Sequence, residues 1–235
     1  MTTTKRKEIS KDIGIIIDHW NAVVKTKTGK TLNLEINKES TIDEVLKIET
    51  NFMSNLGEFK RKGKKIKNII VGEATQSLEN FIYNAEGVPG NVFLAKDLLS
   101  KEEKELKAEP RGQKLRKKLQ HNGTLILDLY LLPLPSFMYN DYLLKTDDDG
   151  WDECLEIYKK YWNHKLSGFE FEDEVNVYVG FEKLRTHSVF TRFKRWIQEF
   201  LENKEIQVKG VQRGNKDVPF YKNYTKELFH QNKSD

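Results

Sequence analysis

Cysteine is nearly absent: Cys154 is the one thiol in 235 residues. That excludes an internal disulfide framework and any metal site built on cysteine alone. Long apolar runs are missing too, and none approaches the roughly 20 residues needed to cross a bilayer. Met1 to Asp12 is polar and charged, without the apolar core of a secretory signal. The expectation is an intracellular protein of cytoplasm or nucleus, with no membrane insertion. The five histidines are scattered, with no HExxH and no pair at metal spacing. No internal repeat and no low-complexity tract is found.

What is present is enough apolar and aromatic material to fold. Hydrophobic residues make up 37% of the chain, with 13 Phe, 9 Tyr and 4 Trp, so a disordered polymer is excluded. The net charge of +4 is mild and decides nothing about partners. Its distribution is uneven. Lys60, Arg61, Lys62, Lys64, Lys65 and Lys67 form one basic run, and Lys114, Arg116, Lys117, Lys118 and His121 form a second. Acidic residues gather at 147–156 and 170–174.

The stretch from Asn21 to Ile48 organises the first half. Val24 and Thr26 alternate along one run, Leu32, Leu34 and Ile36 along another, and Thr28-Gly29 lies between them. This pattern predicts a β-hairpin with one apolar face. Ser40 or Thr41 stands where an N-cap belongs, Asp43 and Glu44 follow in the first turn, and Ile42, Val45 and Ile48 share a helical face. Val24 to Ile36 and Ser40 to Val45 resemble the opening hairpin and helix of ubiquitin and ubiquitin-like domains. Ile69 to Gly72 resembles the middle strand of that family, Ser77 to Ile82 its short turn segment, and Gly123 to Leu131 its closing strand.

The resemblance implies an α+β fold: a ubiquitin-like β-grasp domain over 20–132 after an extension over 1–19. Residues 84–122 interrupt it as an insertion, with a charged helix over 95–108 ended by Pro110 and Gly112. It also implies an interaction surface centred on Ile69 or Ile70, with Lys27 where the family carries a leucine. The conjugating diglycine is missing after Leu132, where Pro133 and Pro135 follow, so a conjugated modifier is not expected. Pro133 to Ser136 marks the expected boundary to a second α+β region over 133–235, rich in aromatic residues. There Trp151 to Trp162 and Phe181 to Asn203 have helical spacing. Val175, Val177 and Val179 alternate as a strand, Ile206 to Val211 reads as another, and 220–229 reads as a docked helix.

Catalytic patterns are thin. Cys154 and His164 are ten positions apart, off a common helical face, and nothing supplies an activating environment. Asp147, Asp149 and Glu153 lack the dense oxygen loop of a calcium site. Gly29-Lys30-Thr31 lacks the glycines that precede the end of a phosphate loop. No cofactor and no metal site is expected. Three function classes follow. The first is a non-catalytic interaction or assembly protein with a protein partner or self-association. The second is a nucleic-acid-binding protein that uses Lys60, Arg61, Lys62, Lys64, Lys65, Lys114, Arg116, Lys117, Lys118, Arg185, Arg192 and Arg195. The third is a divergent metal-dependent nuclease or other hydrolase built on Glu170, Glu172, Asp173, Glu174 and Lys183. Convergence of the two basic runs on one face would favour the second.

Overall fold

The computed structural model describes residues 3–28, 38–72, 81–83, 86–87, 98–128, 149–179 and 188–209. Two long helices come first, α1 (Thr3–Thr28) and α2 (Lys38–Arg61). Strand β1 (Ile66–Gly72) follows, then a single capped turn, α3 (Lys101–Lys104), helix α4 (Ala108–His121) and strand β2 (Thr124–Asp128). Helix α5 (Asp149–Ser167) leads to β3 (Phe171–Val179), and α6 (Ser188–Glu202) leads to β4 (Gln207–Lys209). This is a mixed fold of helices and strands around a four-stranded sheet in the order β2-β1-β3-β4. Every pairing in that sheet is parallel.

The first arm of the expected hairpin is helical. Residues 22–27, expected as a strand, belong to α1, and the second arm at 31–36 lies outside the described residues. Ile9, Ile13, Ile16 and Ile17 are buried at the i, i+4, i+7, i+8 positions of one helical face. A parallel sheet with helical crossovers replaces the antiparallel opening that the ubiquitin-like resemblance implied. Of the extension expected over 1–19, residues 3–19 are therefore part of a core helix.

Helix α2 runs through Gly57, and Val45, Phe52, Leu56 and Phe59 line its buried side. Phe52 meets Tyr83 edge-on with ring centres 4.9 Å apart, and Phe52 and Phe59 meet Phe169 at 5.8 and 5.4 Å. Each such side chain contributes about 1.5–3 kcal/mol on burial. Pro110 and Gly112 lie inside α4 near its start, not at a helix end. Proline is tolerated in a first turn, where its missing N–H has no helical partner to lose.

β1 and β2 precede residue 133, and β3 and β4 follow it, yet all four share one sheet. The proline connector at 133–136 and the helix expected at 220–229 lie outside the described residues. Ile69, Ile70 and Val71 of β1 and Leu125, Ile126 and Leu127 of β2 are all buried, the signature of a sheet covered on both faces. Three polar side chains, from β2, β1 and β3, meet across the strands. Asn176 Nδ2 donates to Asn68 Oδ1 at 3.2 Å, and Asn68 Nδ2 donates to Asn122 O at 3.2 Å and Thr124 Oγ1 at 3.4 Å. Buried amides demand partners, so this ladder penalises a slip of β2 or β3 along β1.

Candidate functional site

In an open parallel sheet, ligands bind beyond the carboxyl ends of the strands, where neighbouring connections diverge. The order β2-β1-β3-β4 puts that point between β1 and β3, because the chain leaves β1 toward β2 and leaves β3 toward β4. At this edge β1 ends in Gly72, whose register partner is Asp128, the last residue of β2. A Cβ on Gly72 would lie 2.3 Å from Asp128 Oδ1. The carboxyl group thus occupies space that only glycine leaves free.

Asp128 is held from behind. Trp162 Nε1 donates to its carbonyl oxygen at 3.3 Å, and Trp162 stacks on Tyr158 with ring centres 5.6 Å apart. Among the described residues no hydrogen bond reaches the Asp128 carboxyl. The group keeps some accessible surface at the strand end but is deeply surrounded by protein. Burial pushes its pKa from 3.8 up to about 6, and the positive charge of Lys165 offsets only part of that. Lys165 Nζ is bound to Glu49 Oε1 at 2.6 Å, with side chains 12% and 7% exposed, and lies 4.9 Å over the Phe52 ring. The Tyr83 hydroxyl accepts from the Ile126 amide at 3.4 Å. Burial raises the Tyr83 pKa and keeps the phenol neutral. A carboxyl that is half acid and half base near pH 6 can both give and take a proton under mild conditions.

The opposite, amino-terminal edge is basic. The turn before β1 supplies Lys62 and Lys64, and α4 with its following turn supplies Lys114, Lys117, Lys118, Gln120, His121 and Asn122. Together with Leu98 and Glu103 they line a cavity of about 590 Å³. The two basic runs, some fifty positions apart in sequence, converge here. Two of the lysines are braced. Lys118 Nζ binds Glu103 Oε2 at 2.6 Å and donates to Leu98 O at 3.0 Å, and its hydrogen bond, with that from the Ser100 amide, holds the Glu103 carboxyl below its ordinary range. Lys62 Nζ donates to Gln120 Oε1 at 3.0 Å. Lys64, Lys114 and Lys117 have no ion-pair partner among the described residues.

The other sequence-predicted positions scatter. Lys60, Arg61 and Lys65 are exposed beside the cavity without lining it. Arg116 turns inward, where its Nη1 donates to Ile82 O at 3.0 Å, so it does not face a ligand. Arg195 is exposed on α6; Arg185 lies outside the described residues, as do the side chains of Arg192 and Lys27. Ile69 and Ile70 are wholly buried within the sheet and present no docking patch. Among the described residues Met53, at 42%, is the one exposed large apolar side chain.

Glu170, Glu172 and Asp173 are exposed, and Glu174 pairs with Lys209 at 2.6 Å across β3 and β4. No group of three metal-binding side chains occurs among the described residues. No described helix is long and apolar enough to cross a membrane.

Asp128, Gly72, Trp162 and Lys165 were not legible as a group. The signal was a lone carboxylate in the otherwise apolar run Leu125 to Leu131. No family model, no curated protein and no solved structure matches the chain.

Proposed function

We propose that this chain binds a small polar ligand at the carboxyl edge of its sheet, between β1 and β3, and that Asp128 exchanges a proton with it. The reading is of an acid–base enzyme site. The observation that carries it is the Asp128 carboxyl lying over Gly72, without a described hydrogen-bond partner, where an open parallel sheet receives its ligands. Three features support a chemical role over a packing one. The residue ends a strand whose three preceding side chains are all buried and apolar. A neighbouring glycine makes room for it. Its acidity is shifted toward neutrality, as proton-transfer groups require.

The role of each residue follows from its place. Asp128 is the proton carrier, and Gly72 gives the ligand and the carboxyl room to meet. Trp162 fixes the end of β2, burial sets the acidity of Asp128, and Lys165, from within its ion pair with Glu49, moderates it. The test is a carboxyl-carbon NMR titration of Asp128, alone and against a panel of small polar compounds. An apparent pKa near 6 that moves when a compound binds supports the reading. A pKa near 4 that no compound moves, together with unchanged melting temperature across the panel, refutes it.

A further inference from the structure

We propose that the lysine-lined cavity at the amino-terminal edge binds a chain of phosphate groups, as a site separate from the Asp128 edge. Among the described residues, five lysines line it beside His121, and the one lining carboxylate, Glu103, is taken up by Lys118, as Glu58 is by Lys62 at 3.8 Å. Mutual repulsion of so many cations is unfavourable unless a counter-charge enters, and a cavity of about 590 Å³ has room for several phosphate groups.

The arrangement divides into a frame and a set of free charges. Lys118 is fixed by Glu103 and Leu98 O, and Lys62 by Glu58 at 3.8 Å and by Gln120, whose own Nε2 donates to Asn55 Oδ1 and to Glu58 Oε2 at 2.9 Å. These bonds tie the walls to α2 and to the start of α3. Lys64, Lys114 and Lys117 stand on that frame with no described ion pair, and Asn122 adds a polar side chain at the rim. Lys64 comes from the turn before β1, and Lys114 and Lys117 stand one turn apart on α4. Three cations spread over two elements suit an extended anion better than a single phosphate. Lysine makes a point-charge contact without base recognition, so the class is a phosphodiester backbone or a free oligophosphate.

The experiment is fluorescence anisotropy with a labelled single-stranded 12-nucleotide DNA, repeated with inorganic tripolyphosphate as competitor. Three phosphate contacts to a single strand predict an affinity loss of about 20-fold between 50 and 200 mM salt. A variant carrying K64E, K114E and K117E is expected to lose at least about 30-fold in affinity at 50 mM salt. A control carrying K7E, K11E and K47E makes the same charge change at exposed positions on α1 and α2, and its loss should stay within about threefold. Circular dichroism and melting temperature check that both remain folded, and D128N should bind the DNA as the wild type does. Displacement by tripolyphosphate assigns the site to free oligophosphates as well; DNA binding without displacement assigns it to a nucleic-acid backbone. Equal losses in the two triple variants, or no binding of either probe at 50 mM salt, overturn the proposal.

Discussion

Replacing Asp128 by Asn should make the protein more stable at neutral pH, and the size of the gain can be worked out. In the unfolded chain the carboxyl releases its proton near 3.8, and in the folded protein near 6. Below 3.8 both states are protonated and the residue costs nothing. Between 3.8 and 6 the unfolded chain ionises while the folded one holds its proton, so stability falls as pH rises through that window. Above 6 the folded carboxyl is forced to ionise in place, and the full penalty stays. At 1.36 kcal/mol per pH unit, that penalty is about 3 kcal/mol at pH 8, about 1.6 at pH 5 and about 0.6 at pH 4. Asparagine keeps the shape and removes the charge. The variant should therefore gain about 3 kcal/mol at pH 8, or about 6–12 °C in melting temperature for a chain of this size. The gain should shrink by half at pH 5. Urea unfolding at both pH values reads it directly. A variant less stable than the wild type at pH 8, or a difference that does not change with pH, would refute the reasoning. The cause would then lie outside the burial of the charge.

Gly72→Ala should cost about 1–3 kcal/mol by pushing a methyl group into the Asp128 carboxyl. Asp128→Ala in that background should recover part of the loss, which a double-mutant cycle in urea would detect. Lys165→Met leaves Glu49 as a buried charge without its partner and should cost about 3–5 kcal/mol. It should also raise the Asp128 pKa further, which the NMR titration would follow, because Lys165 is the charge that holds it down. Gly123 has φ +57°, and a Cβ there would lie 2.7 Å from Lys65 O. Gly123→Ala should therefore cost at least about 1–2 kcal/mol in thermal unfolding.

Elements with strong periodicity were legible from the residues. Ile69 to Gly72, Thr124 to Asp128, Val175 to Val179 and the helix after Ser188 all occur close to their expected places. The hairpin was not. Val23, Val24 and Thr26 are β-branched and read as a strand. The isoleucines at 9, 13, 16 and 17 start a helix that continues through them, so tertiary burial outweighs local preference. That one sheet joins strands from both sides of residue 133 was hidden for a related reason. Prolines at 133 and 135 punctuate the chain locally, but strand pairing across a sheet has no signature within a short window. The convergence of the two basic runs was legible only as a condition, since it depends on how α4 crosses back over the sheet. Asp128 was hidden because its meaning comes from Gly72, 56 positions earlier in the chain.

The placing of β1 between β2 and β3 also has a consequence in time. Its second neighbour, β3, ends at Val179, and β1 itself ends at Gly72. At ribosomal speeds of 5–20 residues per second, the strand that closes one side of β1 arrives about 5–20 s after β1 has been made. Through that interval Ile69, Ile70 and Val71 belong to a strand with an open edge, the kind that recruits other chains. The lysines at 60–67, which stand just before that strand and keep it charged at one end, are then as relevant to the birth of the protein as to its finished surface.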